Sequence, residues 1–339
     1  MAESAPGYSK LYMAKEALYG FRPCPAEFLP KDYPDLSNKL AVVTGMNTGI
    51  GLEVVKLLYS KNCNVIGVVR STEKGLSART KILEEIKESK GSIEVIGNCE
   101  LSDLTTIKSA ASEITRAVAG RPISIIIHNA GIMPESNRGV SKQGHELIFA
   151  TNVMGPQLLQ HFLDPLFLKS DDSLKRIVWV SSGAHFFGFS QYGINWENPT
   201  FEGVDLKSRP SSMRLYGQSK AANIFQAKAW ATRNADMVEN LKCVSVSCYP
   251  GNIRTELQRD MENSMLMRFL KPLLYGPEYG AYTELYAALS SELTSNSQGA
   301  YVVPFGKIHE PREDIKAGLQ NGTDLKLWDW VEKKIENYF

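Results

Sequence analysis

Cysteine is scarce in this chain of 339 residues: Cys24, Cys63, Cys99, Cys243 and Cys248 make an odd number and never fall in a C-x-x-C spacing. That pattern argues against a disulfide framework or a cysteine-held zinc site and fits reduced, buried thiols. Long apolar runs are missing too. No stretch of about 18 apolar residues occurs, so nothing reads as a membrane-spanning helix. Nor is there an excess of charge of one sign. The 38 basic and 37 acidic residues are interspersed and leave a net charge of +1, which provides no electrostatic footprint for nucleic acid or an anionic membrane. The opening "MAESAPGYSKLYMAKEALYG" has neither the apolar core of a signal peptide nor the arginine-rich bias of a transit peptide. A cytoplasmic location is the expectation. The five histidines include none with acidic or cysteine partners at ligand spacing, so no metal is implied; His185, just after Ser182, is placed at the substrate entrance.

What is present is enough apolar material, 43% of residues, to bury one large core. Residues 1–37 carry five prolines and read as an irregular arm on the surface. From residue 38 onward, short apolar runs alternate with helical periodicity. "KLAVVTG", "NVIGVV", "SIEVIG", "ISIII", "RIVWVSS" and "KCVSVSCY" read as strands. Between them lie helical patterns, among them about 101–118, about 144–169 and "LYGQSKAANIFQAKAWATRNA". Such alternation predicts α/β architecture: a doubly wound, Rossmann-type parallel sheet with helices on both faces, in a single domain over 38–339. Segments about 183–214 and 256–278 read as substrate loops or a lid, and about 311–339 as a C-terminal helical extension.

Sheets of this kind bind ligands beyond the carboxyl ends of their strands. The first strand ends in "TGMNTGIG", where Gly45, Gly49 and Gly51 allow a tight turn and a close approach of backbone to a diphosphate at the following helix N-terminus. The spacing is G-x-x-x-G-x-G, not G-x-G-x-x-G. Further along, "LYGQSK" sets Tyr216 and Lys220 four residues apart on one helix face, able to share one small site.

Taken in order, "TGMNTGIG", "HNAG", "TNVMG", "VSSGAH", "YGQSK" and "YPGNIRT" resemble the motifs of the short-chain dehydrogenases/reductases, with "LYGQSKAANIFQ" and "PGNIRTELQRD" similar to the retinol-dehydrogenase-like branch and its fungal members. The resemblance covers roughly residues 36–335. It implies that Gly45, Asn47, Thr48, Gly49, Ile50 and Gly51 line the cofactor diphosphate. It further implies cofactor contacts from Asn129, Ala130 and Gly131, and from Pro250, Gly251, Ile253 and Thr255 beside the nicotinamide. The implied catalytic set is Ser182, Tyr216 and Lys220, with Asn152 supporting a proton-relay water; Ser181 is the neighbouring alternative to Ser182. The implied reaction interconverts a carbonyl and an alcohol at a CH–OH carbon.

Elementary electrostatics suggests why a phenol and an ammonium belong together. Bringing a tyrosine from a pKa of about 10 toward neutrality takes roughly 4 kcal/mol; a cation about 5 Å away at an effective dielectric near 20 supplies roughly 3 kcal/mol. Lys220 is thus expected to lower Tyr216, and Ser182 to donate a hydrogen bond to the reacting oxygen. At the second strand's end Val69 stands where NAD-binding members carry aspartate, followed by Arg70 and Ser71, which suit a 2′-phosphate. NADP(H) is favoured, with NAD(H) as the alternative. His128 replaces the usual first asparagine of "NNAG" and reads as structural; Glu100 replaces the usual aspartate beside adenine. Methionine, leucine and phenylalanine clustered after Thr255 suit a lid over a lipophilic carbonyl or alcohol substrate, a piece of core, or a contact with a lipid-droplet or membrane surface. The resemblance implies homodimers paired through the two long helices flanking the site. A non-catalytic NADP(H)-binding sensor or interaction module on the same fold is the rival reading.

Overall fold

The computed structural model describes residues 5–133, 139–169, 172–254 and 273–339. Its centre is a sheet ordered β3-β2-β1-β4-β5-β6-β7-β8. Strands β1 (Leu40–Thr44), β2 (Asn64–Val68), β3 (Ser92–Ile96), β4 (Ile125–His128), β5 (Arg176–Val180), β6 (Val244–Cys248) and β7 (Tyr301–Val303) run parallel, and β8 (Lys307–His309) closes one edge antiparallel. β1 is buried at every residue, which explains its continuous rather than alternating apolar sequence: successive side chains enter different cores. Leu40 and Val42 join one, Ala41 and Val43 the other.

Helices cover both faces. Against the Ala41 side lie α2 (Gly49–Ser60), α3 (Thr72–Glu85) and α7 (Pro277–Leu289); against the Leu40 side lie α4 (Ile107–Val118), α5 (Gly155–Phe167) and α6 (Ser212–Arg233). Strand order reverses between β1 and β4, and the crevice beyond their carboxyl ends is the place for a ligand. Among the described residues no helix is long and apolar enough to cross a membrane.

Two expectations change. Within the supposed irregular arm, Lys10–Phe21 form a helix, α1, whose Tyr12 amide is capped by the Ser9 hydroxyl at 3.2 Å. The prolines lie outside it, at positions 6, 23, 25, 30 and 34, and a proline breaks a helix only from within. The second concerns pairing. The C-terminal extension forms α8 (Glu313–Gln320) and α9 (Thr323–Ile335) as expected, and α9 packs along α6 and α5. From Leu215 to Ala231, α6 is buried except at Lys228. The C-terminal helix thus occupies part of the face of α6, one of the two helices through which the implied homodimer would pair.

The same extension fastens the 183–214 segment. Arg312 and Asp314 are fully buried and paired at 2.7 Å, while the Arg312 guanidinium donates to the carbonyls of Phe186 (3.0 Å), Gly188 (3.3 Å) and Phe189. The lid reading of 256–278 lies mostly outside the described residues.

Candidate active site

A cavity of about 1410 Å³ runs from the β2–α3 junction, past the glycine-rich turn, to Tyr216 and the end of β6. Gly45 has φ +76°, a region that disfavours side chains. Gly51 permits a close approach: a Cβ there would lie 2.4 Å from both the Gly45 carbonyl oxygen and the Asn129 amide nitrogen. Thr48 opens α2 without using its side chain as a cap, and the first helical turn lines the cavity. This cradle of backbone amides fits a dinucleotide diphosphate. Asn129 braces it by donating to the Thr44 carbonyl at 2.8 Å, and the Ala130 amide donates to the Thr44 hydroxyl at 2.9 Å.

Tyr216 sits near the start of α6, 7% exposed, and lines the cavity together with Ser182. Ser182 begins the turn Gly183–Phe187, and its hydroxyl accepts the Ala184 amide at 3.1 Å. Ser181 also lines the cavity, with its hydroxyl donating to the Lys220 carbonyl at 2.7 Å. One turn beyond Tyr216, the Lys220 ammonium donates to the Val180 carbonyl (2.7 Å) and Asn223 Oδ1 (3.2 Å) and lies 5.5 Å from the Tyr216 ring centre.

Burial works against the expected lowering of the phenol. Burial pushes the Tyr216 phenol up to about 12, opposed by the hydrogen bond from Ser182. Burial also brings Lys220 down to about 8, with Cys248 and Glu284 opposing. Both side chains are enclosed, so losing water around a phenolate outweighs the nearby cation. The surroundings given by the chain itself thus favour the protonated phenol.

Asn152 is not among the residues that line the cavity. It lies in a widened π-type turn, Ala150–Met154, within the helical stretch expected to be continuous. Its side chain accepts the Ile132 amide at 2.9 Å and donates to the Ile132 carbonyl and Ser219 hydroxyl at 3.0 Å each. Its own carbonyl accepts from Asn223 at 2.8 Å. Asn223, three residues after Lys220, thus links the two; sequence reasoning passed over it, although that i+3 spacing marks it.

At the other end, Arg70, Ser71 and Glu100 line the cavity. Arg70 is largely exposed and lies 3.4 Å from Glu100, whose other oxygen accepts from the Ser102 hydroxyl at 2.8 Å. Ser71 caps α3, accepting the Lys74 amide at 3.3 Å. Lys74, Ser77 and Lys81, spaced three and four apart on α3, line the same end and were missed, though the spacing announces a shared face. Gly131, Pro250, Gly251 and Ile253 line the cavity as well. Thr255 lies outside the described residues. His128 is structural as expected: its Nε2 meets Gln160 Oε1 at 2.8 Å and its ring stacks on Trp179, 4.4 Å between centres. His185 is fully buried and absent from the cavity wall, its Nδ1 2.8 Å from the Ser182 carbonyl.

The model of the short chain dehydrogenase family matches residues 39–194. A short-chain dehydrogenase/reductase of Neocamarosporium betae is 33% identical over 332 residues, covering 94% of this chain and 92% of that protein. The chain belongs to the short-chain dehydrogenases/reductases. Among solved structures, an uncharacterized protein from Mycobacterium paratuberculosis superposes with a TM-score of 0.67 at 25% identity, over 91% of this chain and 97% of that one. The NADPH-bound carbonyl reductase from chicken fatty liver shares the fold, with a TM-score of 0.59 at 18% identity over 81% of this chain and 99% of that one. The family match begins at residue 39 and so leaves α1 outside it.

Proposed function

We propose that this short-chain dehydrogenase/reductase is an NADP(H)-dependent oxidoreductase that interconverts a lipophilic aldehyde or ketone with its alcohol. The observation carrying this reading is that Ser182, Tyr216 and Lys220 line one cavity with the glycine-rich turn. Ser182 donates a hydrogen bond to the substrate oxygen, and Tyr216, protonated at neutral pH, gives that oxygen its proton as negative charge develops there. Bound NADPH supplies the hydride. Lys220 has three donors, two of them engaged with Val180 and Asn223, which leaves one for a ribose hydroxyl. Asn152 works from behind, holding the Ile132 peptide and steadying Lys220 through Asn223.

Support for NADP(H) comes from Arg70 and Ser71 with Lys74 beside them, a donor-rich end suited to a 2′-phosphate; the fold neighbour from chicken liver is itself NADPH-bound. Met133, Leu147, Phe186, Phe187 and Met213 near Tyr216 suit an apolar substrate. The test offers purified protein NADPH and a panel of aldehydes, ketones and quinones. Wild type should oxidise NADPH, while Tyr216→Phe should lose about 10²- to 10⁴-fold in kcat and still bind the cofactor. Cofactor binding without oxidation across the panel would favour the sensor reading.

A further inference from the structure

Helix α1 is not a peripheral ornament, because Met13, Glu16, Ala17 and Phe21 on it line the same cavity as Tyr216. Its seat is specific. The Tyr12 hydroxyl donates to the Glu310 carbonyl at 2.6 Å, the Tyr12 ring meets Phe186 edge-on at 6.1 Å, and a Cβ on Gly20 would lie 2.5 Å from the Tyr249 hydroxyl. On an otherwise apolar inner face stands one carboxyl group, Glu16, only 8% exposed. One of its oxygens, Oε2, lies 2.8 Å from His309 Nδ1; Oε1 takes no hydrogen bond among the described residues. An acceptor at a cavity wall that the protein leaves unpaired can take a hydrogen bond from whatever fills the cavity.

Tyr249 and Asn252 lie against Gly20, one turn after Glu16 on α1. Tyr249, lining the cavity, donates to Asn252 Oδ1 at 2.5 Å. Burial first, then Tyr216, then Glu16 hold the Tyr249 phenol above its ordinary value. Glu16, Tyr249 and Tyr216 thus line one cavity.

We propose that α1 forms a wall of the substrate compartment and that Glu16, with Tyr249 and Asn252 beside it, accepts a hydrogen bond from a hydroxyl at the end of the substrate remote from the carbonyl. The substrate class is then a hydroxy-substituted, otherwise apolar carbonyl compound, or the corresponding diol in reverse. This rests on the reductase reading above and narrows its substrate.

The test compares ketones of graded chain length, each with and without a terminal hydroxyl, in wild type, Glu16→Gln and Glu16→Leu. The quantity read is the ratio of kcat/KM for the hydroxylated ketone to that for its deoxy partner, which cancels any fraction of misfolded protein. Wild type should prefer one hydroxylated length, and Glu16→Leu should lower the ratio about 10- to 100-fold, with Glu16→Gln between. The same ratio is read as ligand affinity from quenching of NADPH fluorescence in the cofactor-loaded protein, which needs no turnover. Equal losses on both ketones, an unchanged ratio, or failure of the loaded protein to bind either ketone would overturn the assignment. If Tyr216→Phe retains full turnover, the reductase mechanism fails; if it loses turnover but keeps the wild-type affinity ratio, the two claims separate and Glu16 stands.

Discussion

Lys220 carries a charge into a compartment almost closed to water, and its ordinary value of 10.5 falls to about 8 as a result. A lysine lowered in this way is an ammonium below that pH and loses its proton as pH rises through it. Carbonyl reduction that depends on the ammonium should therefore decline along a limb near pH 8, read from kcat/KM against pH. In Lys220→Arg the residual activity should lack that limb, since guanidinium stays charged throughout; a limb that persists in this variant would assign it to another group. Ser181 and Ser182 show where reading by residue type stops. Adjacent in sequence and identical in chemistry, they are separated only by where strand β5 ends, which aims one hydroxyl at the Lys220 carbonyl and the other at Tyr216.

The junction of β1 and α2 depends on Gly51 having no side chain. Its substitution by alanine places a Cβ against the Gly45 backbone oxygen, which cannot swing aside, and should weaken NADPH binding by at least about tenfold in a fluorescence titration while lowering Tm. Near-normal affinity in Gly51→Ala would mean the turn does not hold the cofactor. Helix α7 poses a different problem. Its Glu284 is fully buried with neither carboxyl oxygen hydrogen-bonded among the described residues, and burial raises it from 4.5 to about 8, with Lys220 opposing. Below 4.5 folded and unfolded chains both hold this proton. As pH rises toward 8 the unfolded chain ionises first, so stability held at low pH is lost. Glu284→Met removes that penalty, and its Tm advantage over wild type should be larger at about pH 8.5 than at about pH 5. A difference independent of pH would show that Glu284 is not held as the acid.

Taken whole, the molecule finishes its own surface. Helix α9 lies along α6 and α5, with Leu327, Trp328, Val331 and Ile335 buried, and the Gln157 side chain donates to the Trp328 carbonyl at 3.0 Å. With that apolar face already covered, sedimentation equilibrium at micromolar concentration should give the mass of one chain, 37.7 kDa. A stable dimer that survives dilution would require a different pairing surface. The N-terminal arm follows the same logic, since α1 gains its place through contacts with residues such as Glu310 and His309 at the far end of the chain.

The sequence by itself determined the alternating α/β architecture, the glycine-rich turn after the first strand and the Tyr216–Lys220 pair. Each is written in a short local pattern: an apolar run, a glycine spacing, or an interval of four on one helix. Tertiary structure alone decided that α1 walls the cavity, that Asn152 is held by Ile132 and Ser219, how deeply Tyr216 is buried, and that α9 packs along α6. These outcomes depend on burial and on contacts between distant segments, such as Glu16 with His309 at a separation of 293 residues, and no local periodicity encodes which distant side chain will exclude water from a given group.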